Sequence, residues 1–181
     1  HENCQPKPLP VVGKQATELL PNLASENAAV RDLALLQMLW HGAEHVGKDL
    51  RRMAVEHPSP AIRTAALGVL SATKQLTPGD CAVSLQDKDS RVVRFAIELS
   101  EPLLSASSEL QRAFMACADR ELGGQVDLQW LLTSLALPAE VTTEKLAQLA
   151  ARSTNNPWIM RALALCNDPA QAMQLSSGLL D

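Results

Sequence analysis

The residues best suited to metal chemistry in this chain are its four histidines, two of which are closely spaced. His41 and His45 are four residues apart, a spacing that can place two ligands on one face of a helix. Gly42 favours a helix end between them, and no glutamate directly follows His41, as the H-E-x-x-H pattern of zinc proteases requires. We therefore predict a solvated helix terminus here and no metal site.

The cysteines could in principle hold a metal or a haem. They are too far apart for a metal-site spacing, and no Cys-x-x-Cys-His haem-attachment pattern occurs. Three of them fall in apolar helical stretches and are predicted to be buried free thiols. In an exported protein a disulfide would be an alternative, and the sequence leaves its pairing open. The four are Cys4, Cys81, Cys117 and Cys166.

Patterns for phosphate binding or nucleophilic catalysis are absent, since the sequence has no Gly-x-Gly-x-x-Gly, P-loop or Gly-x-Ser-x-Gly stretch. Asp87 and Asp89 form a carboxylate pair, but they fall in a predicted turn. Capping hydrogen bonds explain carboxylates in a turn better than acid–base catalysis does. The sequence predicts no catalytic residue and no cofactor.

Charge and composition exclude two further classes of function. The formal net charge is −4 and aromatic residues make up 3% of the chain, whereas nucleic-acid binders need a basic surface and often aromatic stacking platforms. The local basic cluster of Lys48, Arg51 and Arg52 is interpreted as a solvated helix face. No apolar run approaches the roughly 20 residues that span a bilayer. We predict neither nucleic-acid binding nor membrane insertion.

Internal repetition is the most informative signal. Leu and Ala supply most of the apolar content, which favours an all-α chain. Five similar segments recur with a period in the low to middle thirties, and each follows a turn signal. Their anchor residues are Val30, Ile62, Val92, Val126 and Ile159. This period suits a two-helix unit, so we predict an α-solenoid of about five helical hairpins over residues 15–181, preceded by an extended linker at 1–14.

The anchors mark the second helix of each hairpin. The first helices are predicted near 15–24, 46–56, 78–86, 107–120 and 140–152, with a short terminal helix near 168–180. Four residues after the anchor, the first three units carry alanine, which allows close helix packing. Trp130 replaces that alanine in the fourth unit. A regular N-terminal half and a less regular C-terminal half are expected.

The turn–Val-Arg-x-x-Ala-Leu pattern resembles HEAT repeats, in which an arginine after the anchor often supports the turn. Arg31 and Arg63 match that position and are expected to be structural turn residues, together with Asp87 and Asp89. The later units depart from the pattern, with Val93, Asp127 and Met160 at the arginine position. The resemblance implies a non-catalytic scaffold or protein-interaction module.

A narrower resemblance covers roughly residues 60–165. The stretches 89–104 and 155–165 are similar to the HEAT-repeat region of large secreted, haem-containing proteins of planctomycete-type bacteria, described as membrane-bound dehydrogenases. That resemblance implies a segment of a larger exported or periplasmic protein whose partners are its own neighbouring domains. It carries over no catalytic or haem residue. The residues by themselves leave a cytoplasmic location open.

The outward positions of the second helices are the candidate contact site. Leu36 and Trp40 lie one turn apart at positions six and ten after the first anchor, and we expect them to contact a protein partner. Packing against a neighbouring hairpin, or against an upstream domain of a larger parent protein, is the competing interpretation. The alternatives for the whole chain are a stand-alone adaptor that binds a peptide or protein on a concave face, or an enzyme on a HEAT-type fold, as in some DNA glycosylases and bilin lyases. The oligomeric state is not predicted.

Overall fold

The computed structural model describes residues 14–167, and within them every regular element is a helix. The predicted all-α class is confirmed for this part of the chain. The α-helices are α1 (Ala16–Leu23), α2 (Ala28–His41), α3 (Gly47–Glu56), α4 (Pro60–Ala72), α5 (Pro78–Ser84), α6 (Ser90–Ser100), α7 (Ser108–Cys117), α8 (Gly124–Ser134), α9 (Ala139–Arg152) and α10 (Pro157–Asn167). Two 3₁₀ segments, Glu44–Val46 and Glu101–Ala106, follow α2 and α6.

Most of these helices lie close to the predicted ranges. The first helices of the five hairpins are α1, α3, α5, α7 and α9, and the second helices are the even-numbered ones. The predicted linker at 1–14 and the predicted terminal helix near 168–180 fall outside the described residues, apart from Lys14. None of the described helices is long and apolar enough to cross a bilayer.

The contacts divide the chain into two compact units, with the boundary between Leu76 and Thr77. In the first unit α1 packs on α2, α3 packs on α4, and α2 packs on α4. Its core is formed by buried apolar side chains on all four helices, including Leu19, Met38, Leu50 and Leu70. Burial of these amphipathic faces is the main source of stability for such short helices.

In the second unit, as in the first, even-numbered helices pack on one another as well as on odd-numbered ones. Helix α5 packs on α6 and α7, while α6 packs on α8 and α8 packs on α10. The core contains the large buried side chains of Leu85, Ile97, Leu110, Phe114 and Trp130. Within this unit α6 and α8 therefore each pack against the next even-numbered helix.

Capping interactions fix where several helices begin. Thr77 and Asp80 form a reciprocal capping box at α5, in which the Thr77 Oγ1 atom accepts from the Asp80 N–H at 3.2 Å and the Asp80 carboxylate accepts from the Thr77 N–H at 2.9 Å. Asn156 Oδ1 accepts from the backbone of Trp158 and Ile159 at the start of α10. Proline follows both capping residues, at the position where a missing N–H costs least.

Ser59 is the N-cap residue of α4 and precedes Pro60 at the first helical position, but its hydroxyl makes no capping hydrogen bond. Pro60 has no N–H to satisfy, and the Ile62 N–H already donates to the Ser59 carbonyl oxygen at 3.1 Å.

Candidate interaction surface

Helix α2 positions the two residues predicted to contact a partner. Asn27 starts the helix, because its Oδ1 atom accepts from the Ala29 N–H at 3.0 Å. Gly42 ends it with a φ of 83°, in the region that favours glycine. Between these two residues the helix has a buried face that carries Ala34 and Met38.

The opposite face of α2 carries exposed apolar side chains. Leu36 is 47% exposed, Leu39 is 36% exposed and Trp40 is 79% exposed. Positions 36, 39 and 40 lie within about 100° around the helix axis, roughly opposite the buried Ala34 and Met38. We call Leu36, Leu39 and Trp40 the α2 patch. An exposed tryptophan beside two leucines is an energetically costly surface in water unless something covers it.

The other positions predicted to point outward are mostly exposed as well. Glu98 and Leu132 are exposed at the sixth position after their anchors, as are Ala72, Pro102 and Ala136 at the tenth. Gly68 is half-buried. The side chain of Leu165 and all of Pro169 fall outside the described part of the chain. Of the exposed members of this set, only α2 and α8 present large apolar side chains, and only α2 adds a tryptophan.

The two arginines that match the HEAT pattern both bind turn carbonyls, with the same spacing. Arg31 Nη1 donates to the carbonyl oxygens of Ser25 and Glu26, at 2.8 and 2.9 Å. Arg63 Nη1 donates to those of His57 and Pro58, at 2.7 and 3.1 Å. In each hairpin the guanidinium therefore satisfies carbonyls that are six and five residues earlier, and ties the inter-helix turn to the second helix.

Different arginines bind the turns of the second unit. Arg120, just after α7, donates to the carbonyl oxygens of Leu85 and Asp87 at 2.5 and 2.7 Å. Both acceptors lie in or beside the turn between α5 and α6, so the donor comes from the following hairpin. This role of Arg120 was not predicted from the sequence, although an arginine near the end of a first helix is a visible signal for it.

Arg152, at the end of α9, repeats the arrangement one hairpin later. Its Nη1 donates to the Ala118 carbonyl oxygen, and its Nη2 pairs with Asp127 Oδ1 at 2.6 Å. Asp127 is therefore the acceptor in this contact, at the position where the HEAT pattern would place an arginine. Arg120 and Arg152 are one repeat period apart, as are Arg31 and Arg63.

The predicted turn residues Asp87 and Asp89 bond to the backbone of their own turn. Asp87 Oδ1 accepts from the Asp89 N–H at 2.8 Å. Asp89 is the N-cap of α6, accepts from the Arg91 N–H at 3.0 Å, and also pairs with the Arg91 guanidinium at 2.8 Å. This pairing raises the pKa of Arg91 above its usual range through the hydrogen bond and the charge of Asp89.

A shallow depression lies beside that turn, in the second unit. It has a volume of about 210 Å³ and is bordered by Ser90, Arg91, Arg94 and the residues from Leu122 to Val126. Arg91 is already paired with Asp89, so among the described residues at this border Arg94 alone adds an unbalanced charge. In the basic cluster on α3, Arg52 pairs with Asp49 at 3.0 Å, and Arg51 donates to the neutral Gln75 carbonyl oxygen.

The cysteines that the structure describes are buried free thiols. Burial raises the pKa of Cys81 to about 11, with a smaller opposing contribution from a hydrogen bond to Ser100. Burial also raises the pKa of Cys117, whose sulfur lies 3.3 Å from the Leu85 carbonyl oxygen. Both are therefore poor nucleophiles near neutral pH. Cys4 and the side chain of Cys166 lie outside the described part of the chain.

The histidine pair does not share a helical face. The stretch from His41 to His45 also has the H-x-x-E-H spacing of inverted zinc motifs, which requires both histidines on one helix. Helix α2 ends at His41, whose Nε2 atom lies 3.2 Å from Gln37 Oε1, and His45 falls in the following 3₁₀ segment. Among the described residues, no group of three or more His, Cys, Asp or Glu side chains could hold a metal ion.

Comparison with known proteins finds no matching family model, no matching curated protein and no matching solved structure.

Proposed function

We propose that this chain is a non-catalytic protein-interaction module built from HEAT-like helical hairpins, and that the α2 patch is its main contact surface. The observation that carries the proposal is the exposure of Trp40 next to Leu36 and Leu39 on one helical face. Tryptophan is the residue type most enriched at the energetic centre of protein interfaces. The partner that suits this surface is a peptide or protein segment that buries an apolar side chain against the α2 patch.

Two features support a HEAT-like array as the scaffold for this surface. The first helices begin at nearly equal intervals along the chain, at Ala16, Gly47, Pro78, Ser108 and Ala139. In the second unit α6, α8 and α10 pack in succession, as stacked hairpins would. Repeat proteins of this kind function through the extended surface that their second helices present.

The resemblance of residues 60–165 to the HEAT-repeat region of large secreted bacterial proteins extends this proposal to the kind of protein in which the module acts. It would be a segment of a larger exported bacterial protein, in which the α2 patch contacts a neighbouring domain. A stand-alone adaptor with a separate peptide or protein partner would use the same patch. In both settings the interaction depends on Trp40, so one experiment tests both.

The test selects a phage-displayed random peptide library on the immobilised chain. Enriched peptides are then synthesised, and their Kd values are measured by isothermal titration calorimetry. We expect Trp40→Ala to weaken binding at least about tenfold, because truncating a central aromatic contact typically costs over 1 kcal/mol. Leu36→Ser should weaken binding less, because a leucine contributes less contact area.

Trp158→Ala is the matched control, because Trp158 on α10 is 73% exposed and lies outside the α2 patch. It should change the Kd less than about twofold. Far-UV circular dichroism of all variants establishes that the helices are intact. Absence of enriched peptides, or equal Kd values for wild type and Trp40→Ala, would overturn the proposal.

A further inference from the structure

An apolar groove lies between the last two described helices, away from the α2 patch. It has a volume of about 390 Å³ and lies between α9 and α10. Apart from Thr143, every side chain that lines it is apolar: Leu146, Ala147 and Ala150 from α9, and Met160, Leu163 and Ala164 from α10. Met160 is 40% exposed and Ala164 is exposed.

The equivalent positions on α6 and α8 are buried, except for Asp127 on α8, which is half-buried. Met160 and Ala164 are the first and fifth residues after their anchor, as Val93 and Ile97 are on α6, where both are fully buried. On α8 the fifth position is Leu131, which is also fully buried. Helix α6 is followed by the hairpin α7–α8, and α8 by the hairpin α9–α10. The open groove therefore marks the flank on which a further segment would pack.

The chain itself supplies a segment at the required place. Residues 168–181 follow α10 directly and lie outside the described part of the structure, so only their sequence bears on the choice. Ala139 starts the last of the evenly spaced first helices, and one more interval of the same length ends at Ala170. The Pro138-Ala139 pair that opens α9 recurs as Pro169-Ala170.

The apolar residues of this segment also fit the alignment in which Ala170 corresponds to the first residue of a first helix. The residue three positions after the start of a first helix is buried in four of the five hairpins, as Leu19, Leu50, Cys81 and Thr142. The corresponding residue after Ala170 is Met173, and Leu175, Leu179 and Leu180 follow. Charge is absent between Ala170 and Leu180, which suits a groove lined by apolar side chains.

We propose that residues 170–180 dock in the α9–α10 groove and cover Met160 and Ala164. This contact would cover the apolar flank that α9 and α10 leave open in the described part of the chain, as stacking of the next unit does in repeat proteins. The proposal does not depend on the function of the α2 patch.

Hydrogen exchange of the full-length chain, followed by mass spectrometry, tests this docking. Backbone amides in residues 170–180 should exchange at least about tenfold more slowly than in the free peptide of the same sequence. Met160→Asp and Ala164→Asp each place a charge in the groove, and each should reduce that protection at least about fivefold. Two independent variants keep the test informative if one of them fails to fold.

Trp158→Asp is the control, because it places the same charge on an exposed position of α10 that does not line the groove. Protection of residues 170–180 should be unchanged in this variant. The proposal is wrong if these amides exchange at the free-peptide rate, or if charges at 160 and 164 leave their protection intact. Protection that rises over about a hundredfold range of protein concentration would instead assign the groove to a second copy of the chain.

Discussion

The indole of Trp130 on α8 stacks on the ring of Phe114 on α7, and the two ring centroids are 5.3 Å apart. The same indole donates its Nε1–H to the Phe114 carbonyl oxygen at 2.8 Å. Helix α7 tightens at its end, where the Ala118 N–H bonds to the Met115 carbonyl oxygen and not to that of Phe114. Trp130 therefore supplies a donor to a helix-end carbonyl as well as filling the core.

Replacement of Trp130 should separate these two contributions. Trp130→Phe keeps an aromatic ring but leaves the Phe114 carbonyl without this donor, so we expect a loss of about 1–3 kcal/mol in the free energy of unfolding. Trp130→Ala also opens a cavity and should lose about 3–5 kcal/mol. Urea denaturation followed by far-UV circular dichroism measures both losses. Trp158→Ala should stay within about 0.5 kcal/mol of wild type, and equal losses at the two tryptophans would contradict this account.

The sequence was sufficient to predict the helices because turn signals and helical periodicity agreed at each boundary. Thr77-Pro78 and Asn156-Pro157 illustrate this agreement, since capping side chain and proline occur together and both start a helix. Packing across hairpins was less predictable. Trp130 was recognised as an exception to the small-residue rule, but its contact with Phe114 depends on how α7 ends, which a repeat pattern does not encode.

The exposure of Leu36 and Trp40 could be predicted, because helical geometry alone decides which residues oppose the buried face of α2. Leu36 and Trp40 were identified from their distance to the anchor, whereas Leu39 was missed because it is not at one of the positions considered. Arg120 and Arg152 were missed for a different reason. Each acts on the turn of the preceding hairpin, so its role becomes visible only when the hairpins are in contact.

The turn arginines of the first unit should differ in their contribution to stability. Arg63 is 2% exposed, whereas Arg31 is only half-buried. Removal of a buried donor leaves the carbonyls of His57 and Pro58 without that partner, so Arg63→Met should cost about 2–3 kcal/mol. Arg31→Met should cost about 1 kcal/mol, because water can replace the lost bonds. Urea denaturation of the two variants provides the comparison.

Two further measurements test whether Arg63 acts through these hydrogen bonds. Arg63→Lys should be intermediate between wild type and Arg63→Met, because an ammonium group lacks the planar fork of the guanidinium. The two acceptors of its Nη1 atom are neutral carbonyls. The part of the Arg63→Met cost that comes from these two bonds should therefore persist in about 1 M salt, where surface ion pairs are screened. A cost that disappears in salt would show that charge pairing, and not turn support, is its main role.

The buried thiol of Cys81 should make stability depend on pH in the alkaline range. Burial raises its pKa from 9.0 in the unfolded chain to about 11 in the folded one, so the folded state retains the proton over this interval. A group whose pKa is higher in the folded state stabilises that state fully below the unfolded pKa and loses this contribution as pH rises through the folded pKa. The stability that Cys81 contributes should therefore be complete below about pH 9 and be lost progressively towards pH 11. Cys81→Ala lacks this titration, so the free-energy difference between wild type and Cys81→Ala should shrink over this range when both are unfolded in urea.

Val83→Ala, at an exposed position of the same helix, should keep a constant difference from wild type. A Cys81→Ala difference that stays constant from pH 8 to pH 11 would show that the folded chain does not hold this thiol protonated.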